Sequence, residues 1–209
     1  MALDPELVAP GHTAVVLNEM QRGTVGDRAG LPMLVEAGRP AVAGAARLVR
    51  LARPAGVEVV HCVAASRVDL KGSMNNTVFA RRARKDAELH PRTAEDTAAF
   101  AEVVPEIGVE PGDLLMSRLH GMSPLTDTGL DMLLRNMGIS TVVVGGVSLN
   151  IGVTGLVIEA VNRAYNVVLV RDACAGVPPD YGTMVIDNSL SLISRVTTVD
   201  ELASIWAKW

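Results

Sequence analysis

The sequence predicts a three-layer α/β/α sandwich built on a mostly parallel, six-stranded sheet. Three observations carry that expectation. Six short apolar runs rich in β-branched residues recur along the 209 residues. Most of them are continuous rather than alternating, which is the pattern of strands buried on both faces. Longer helix-compatible stretches separate them, and such alternation produces parallel strands joined by right-handed crossovers.

The expected strands are TAVVLN (13–18), VEVVHCV (57–63), DLLMS (113–117), STVVVGG (140–146), NVVLVRD (166–172) and SRVTT (194–198). The first expected helix, 35–53, carries Val35, Val42, Ala46, Val49 and Leu51 and stops at Arg53-Pro54-Ala55-Gly56. Thr126 or Asp127 is the expected cap of a helix holding Leu130, Leu133, Leu134 and Met137, ended by Gly138. Residues 150–164 and 180–193 form two more, and 200–209 the last, with Thr198 or Asp200 as its cap. No internal repeat and no low-complexity linker interrupts the series, so 1–209 reads as a single domain.

Composition narrows the function. Hydrophobic residues make up 49% of the chain, enough to build a sizeable core. Aromatics are only 3%, so that core must be Val, Leu, Ile, Ala and Met. The net charge of −4 gives no basic footprint for nucleic acid. The one arginine-rich stretch, ARRARK (80–85), reads as a solvated helix face. Two cysteines, Cys62 and Cys174, make no disulfide framework. The opening MALDPELVAPG is acidic and proline-broken, unlike a signal peptide, and no apolar run approaches the ~20 residues that span a bilayer. A cytoplasmic location without membrane contact is the resulting expectation. Mean hydropathy is +0.29, which fits a Val-rich parallel sheet and also an apolar subunit interface.

In an open α/β sheet, ligands bind at the carboxyl ends of the strands. The residues there are Asn18, Glu19 and Gln21; His61, Ser66 and Arg67; Arg118 and His120; Ser148, Asn150 and Gly152; and Asp172. The stretch GGVSLNIGVTGLVIEA (145–160) has the layout of an elbow, in which a strand ends, the chain turns and a helix begins. Such elbows usually present a nucleophile, yet this one carries no cysteine.

With those segments placed, the chain resembles the isochorismatase-like hydrolases, also called the cysteine hydrolases, a superfamily of Rossmann-like fold. Four segments carry the resemblance: VVLNEMQ at the first strand end, LLMSRLHGMSPLTDTGLDMLL after the third, GGVSLNIGVTGLVIEA at the elbow, and RDACAG after the fifth. The superfamily's triad is Asp, Lys and Cys. Residue by residue, the Asp falls on Glu19, the Lys at or beside Arg118 (Leu119 in the neighbouring register), and the Cys on Gly152. No lysine lies between Lys85 and Lys208 to take the middle role. The resemblance also implies a non-proline cis bond at Val147-Ser148 and a homodimer or homotetramer.

The resemblance further implies a hydrolase of a small anionic metabolite that works without a cysteine. Isochorismatases proper, which often have glycine at that place, hydrolyse a vinyl ether and need an acid, an anion pocket and a water. Glu19 is then the acid or base and Arg118 its electrostatic partner. Gln21, His61, Arg67, Asn76, His120, Ser148 and Asn150 are candidates for binding. No metal or other cofactor is expected, because HCVAASRVD lacks an Asp-x-His spacing and the four histidines are scattered. Glu19 and Arg118 can equally be a structural ion pair, in a protein that kept the pocket and became a binding or scaffold module. A third reading is a C–N amidohydrolase with a displaced nucleophile such as Ser148.

Overall fold

The computed structural model describes residues 2–209. In chain order its elements are β1 (Thr13–Asn18), α1 (Arg22–Val25), α2 (Pro32–Ala52), β2 (Glu58–Ala64), α3 (Val78–Leu89), α4 (Ala94–Ala101) and β3 (Leu114–Arg118). They continue with α5 (Leu130–Asn136), β4 (Thr141–Val147), α6 (Gly152–Asn162), β5 (Asn166–Ala175), α7 (Pro179–Asn188), β6 (Arg195–Thr197) and α8 (Val199–Trp206). The six strands form one sheet in the order β3-β2-β1-β4-β5-β6, and every adjacent pair is parallel. All six expected strands are present, shifted by at most a few residues.

The strands sort their side chains by parity, as a pleat demands. Val15, Leu17, Val143 and Val147 face one way and join a core with α2 and α8; Ala14, Val16, Val142 and Val144 face the other, with α5, α6 and α7. The central strands are covered on both sides, so β1 and β4 are buried at every position. The chain runs outward from β1 in both directions, through β2 to β3 and through β4 to β6. The carboxyl ends of β1 and β4 therefore flank the switch point, where such sheets open a crevice.

Several expectations are corrected in detail. The helix α5 is not capped by Thr126 or Asp127. It starts after Gly129, which adopts a left-handed φ of 81°, while the Thr126 hydroxyl is drawn away to donate to Glu159 at 2.6 Å. The segment 180–193 is not one helix: α7 stops at Asn188 and a short 3-10 turn follows at Leu190–Leu192. The fifth strand runs on to Ala175, so Asp172 lies within it. Its carboxylate accepts the Val199 N–H at 3.0 Å and so anchors the start of α8. Thr198 caps that helix, accepting the Glu201 N–H at 3.3 Å. The Ala80–Lys85 stretch does lie on a helix, α3, whose only buried residue is Ala80. Among the described residues no helix is long and apolar enough to cross a membrane.

Candidate active site at the switch point

The last residue of β1, Asn18, is completely buried, and the next, Glu19, turns the chain through a left-handed φ of 53°. A glutamate in that region carries strain of about 1–2 kcal/mol. The Glu19 N–H donates to the Cys62 carbonyl at 2.7 Å, which holds the turn against β2. The Glu19 side chain thereby leaves the sheet at its carboxyl edge and meets Arg118, the last residue of β3.

The pair is close. An Arg118 Nη2–H donates to Glu19 Oε1, and Arg118 Nε donates to the Gly121 carbonyl at 3.3 Å. The Arg118 side chain is 4% exposed and that of Glu19 22%, so the carboxylate is the member that meets solvent. Burial pushes the Glu19 carboxyl above its ordinary range; the charge and hydrogen bond of Arg118 pull the other way without cancelling it. The third guanidinium nitrogen, Arg118 Nη1, is buried and has no hydrogen-bond partner among the described residues. An unpaired buried donor is costly, more so when charged.

The other wall is the elbow. The peptide Val147-Ser148 is cis, at the expected bond. Gly152 opens α6 and is buried against Asn18. Asn18 Nδ2 donates to the Val147 carbonyl at 2.5 Å, so the carboxamide bridges β1 to the elbow. The segment between Arg118 and α5 is pinned to α6: Ser123 Oγ donates to Glu159 Oε2 at 2.8 Å, beside the Thr126 bond.

The remaining expected residues divide. Gln21 is fully buried and serves the scaffold: its Nε2 donates to the Ala64 and Phe100 carbonyls at 2.8 and 3.0 Å, and its Oε1 accepts the Ala64 N–H at 2.6 Å. Asn150 likewise clamps Val177, donating to its carbonyl at 2.6 Å and accepting its N–H at 2.9 Å, while Ser148 Oγ reaches only Asn150, at 3.3 Å. His61 is a correction. It lies within β2, 1% exposed, and its Nε2 sits 3.0 Å from Asp113 Oδ2 at the opposite, amino-terminal end of β3. It is a core residue, paired where the sheet needs its polarity satisfied. Arg67 is exposed and spends its guanidinium on Asp69, with Nε 2.8 Å from Oδ1. Asn76 and His120 are exposed and make no contact with the Glu19–Arg118 pair among the hydrogen bonds of the structure. An open cleft of about 580 Å³ lies beside the site, between residues 65–69 and α4, and Ala65 joins the two through its bond to the Arg118 carbonyl at 2.8 Å.

Cys62 is buried and Cys174 half-buried. Burial pushes both thiols up, to about 12 for Cys62 and about 12 for Cys174, far from the thiolate that covalent catalysis needs. The sequence placed Asn18 at a strand end, but its contact with the elbow was not legible there. The available signal was a carboxamide closing an otherwise apolar strand, and it acquires meaning only opposite a glycine that is distant in the chain.

The class the fold defines is a doubly wound α/β sheet, here with an acid–guanidinium pair at the carboxyl ends of its strands. The particular family follows from comparison with known proteins. The family model described as "Isochorismatase domain" matches residues 13–201, and the chain belongs to that family. Ureidoacrylate amidohydrolase RutB of Agrobacterium fabrum is 27% identical over 216 residues, covering 97% of this chain and 93% of RutB. The isochorismatase family protein YwoC of Bacillus subtilis is 35% identical over 94 residues; the matched stretch spans about half of each chain, 45% and 49%. Among solved structures, an isochorismatase family protein from Burkholderia thailandensis superposes with a TM-score of 0.79 at 25% identity, over 99% of this chain and 98% of that one. A cysteine hydrolase from Pseudomonas syringae has a TM-score of 0.80 at 21% identity, over 100% and 96%, and so shares the fold.

Proposed function

We propose that this chain is a hydrolase of a small anionic metabolite that works without a covalent intermediate, Glu19 moving the proton and Arg118 holding the substrate's negative charge. The observation that carries this reading is the buried guanidinium with one nitrogen spent on Glu19 and another, Nη1, unpartnered. A planar fork of that kind fits a carboxylate oxygen. A substrate anion brought beside Arg118 also takes up part of the positive charge that Glu19 enjoys. The proton affinity of Glu19, already raised by burial, then rises further, which favours the acid form at neutral pH.

For a vinyl ether the sequence of bonds is simple. The Glu19 carboxylic acid gives its proton to the terminal enol carbon, leaving an oxocarbenium ion. Water adds to that ion, and the hemiketal collapses to an alcohol and pyruvate, returning a proton to Glu19. No nucleophile from the protein is consumed, in keeping with a glycine at residue 152 and two thiols pushed up to about 12. RutB is named an amidohydrolase, so a C–N substrate is the second reading; it needs a nucleophile other than either cysteine.

The test is pyruvate release from isochorismate by the wild type and by Glu19→Gln. Turnover in the wild type and its loss in the variant is the expected result. Turnover that survives in Glu19→Gln removes this residue from the mechanism. A wild type with no turnover, and no adduct with an electrophilic amide analogue, supports a binding or scaffold module instead.

A further inference from the structure

Two glycines of the elbow are explained by one residue across the crevice. Gly146 pairs with Asn18 in the sheet, and a Cβ on it would stand 2.2 Å from the Asn18 carbonyl oxygen. A Cβ on Gly152 would stand 2.6 Å from Asn18 Nδ2 and 3.3 Å from the Val147 carbonyl. Gly146 has a φ of 123°, so its conformation alone favours glycine. Gly152 does not lie in the left-handed region; it opens an ordinary helix. What forbids a side chain there is space, and the space is held by the Asn18 carboxamide.

Asn18 has no room to yield. Its side chain is short, it is completely buried, and Nδ2 is fastened to the Val147 carbonyl at 2.5 Å. Reversing the amide would set two carbonyl oxygens against each other. The Asn18 Oδ1 atom is buried without a hydrogen-bond partner among the described residues, so the group carries an unmet hydrogen bond.

We infer that Asn18 is the residue that commits the elbow to chemistry without a covalent intermediate: its carboxamide occupies the volume that any nucleophilic side chain on residue 152 needs. The inference rests on the functional reading above and deepens it. The first helical residue of α6 is where an elbow presents its reactive group, with the amino end of an eleven-residue helix behind it to favour a thiolate. Here that position and the end of β1 form one unit. A nucleophile is restored only when both residues change.

The experiment compares G152C with N18A/G152C, alongside wild type and N18A, by thermal melting and by the rate of alkylation with iodoacetamide, localised by peptide mass. The wild type reports the background from Cys62, which is buried, and Cys174, which is half-buried. G152C is expected to lower Tm by about 4–8 °C, the usual consequence of overpacking. N18A/G152C recovers part of that loss and alkylates at residue 152 on the order of tenfold faster, as an accessible thiol does. If G152C does not fold, G152A and N18A/G152A replace it, and a double-variant Tm loss smaller than the two single losses combined supports the coupling. Equal stability and equal alkylation of G152C with and without N18A, or additive losses in the alanine pair, overturns it. Neither readout involves turnover, so this result stands apart from the Glu19→Gln assay.

Discussion

Arg118 is buried and Glu19 half-buried beside it, so Glu19 is the carboxylate that answers the guanidinium charge. Removing one partner leaves the other uncompensated, a loss of roughly 3 kcal/mol for buried pairs. Arg118→Met is expected to cost about that much in urea denaturation, and Glu19→Gln less, since it keeps an acceptor for the guanidinium. The pH dependence has a definite sign. Because burial raises the Glu19 pKa, the native state holds a proton just above pH 4.5 that the unfolded chain has released. The stability from this group is full below that pH and is lost as pH rises through the folded pKa. Glu19→Gln should flatten that fall in stability measured across the acid range. His61 works in the opposite sense. Burial lowers its pKa from 6.5, with Asp113 opposing, so the neutral ring donates from Nε2 to a carboxylate already matched by Arg53 at 2.7 Å. Burial pushes Asp113 up, but Arg53, the Glu110 N–H and His61 hold it below the usual range. Stability from His61 is present above pH 6.5 and is lost on acidification through its lower folded pKa. His61→Gln, which keeps an N–H donor at the same reach, should remove that part of the acid loss in urea titrations between pH 7 and 5.

At the scale of elements, the site is a matter of which segment is tied to which. Arg118 finds its second acceptor on the Gly121 carbonyl, and that turn is held by Ser123 and Thr126 on the Glu159 carboxylate of α6. Glu159→Ala strands two hydroxyls at a cost of about 2 kcal/mol. Hydrogen exchange should quicken in residues 119–129 while β1 and β4 stay protected. The same dependence limits what local sequence conveys. Strands were legible because apolar β-branched runs buried on both faces have few alternatives. The start of α5 was misplaced because Thr126 and Asp127 are good caps in isolation, and a carboxylate on a different helix outcompetes the local bond. The helices α3 and α4 lacked the apolar stripe that makes a helix visible; α3 buries a single residue, Ala80.

Across the whole molecule, two apolar layers share one sheet. Leu48 of α2 and Leu156 of α6 lie on opposite faces and are fully buried. Truncation of either to alanine should cost about 2–5 kcal/mol. If the chain is one cooperative unit, each variant will lower a single transition seen identically by far-ultraviolet dichroism and by the fluorescence of buried Trp206. Two separated transitions would divide the layers into independent units.

What the sequence determined by itself was the periodic part: six buried strands, their parallel arrangement, and a set of polar residues at the strand ends, Glu19 and Arg118 among them. These follow from patterns within a few neighbouring residues, where burial and backbone geometry are local in the chain. Apart from the Glu19–Arg118 pair, which the family resemblance implied, only tertiary structure decided which polar residues meet. It sent His61 to Asp113 inside the sheet, spent Gln21 and Asn150 on backbone clamps, and set the carboxamide of Asn18 against Gly152, 134 positions away by residue number. Hydrogen bonds and steric exclusion act over a few ångströms of space, and the distance along the chain says nothing about them until the sheet has closed.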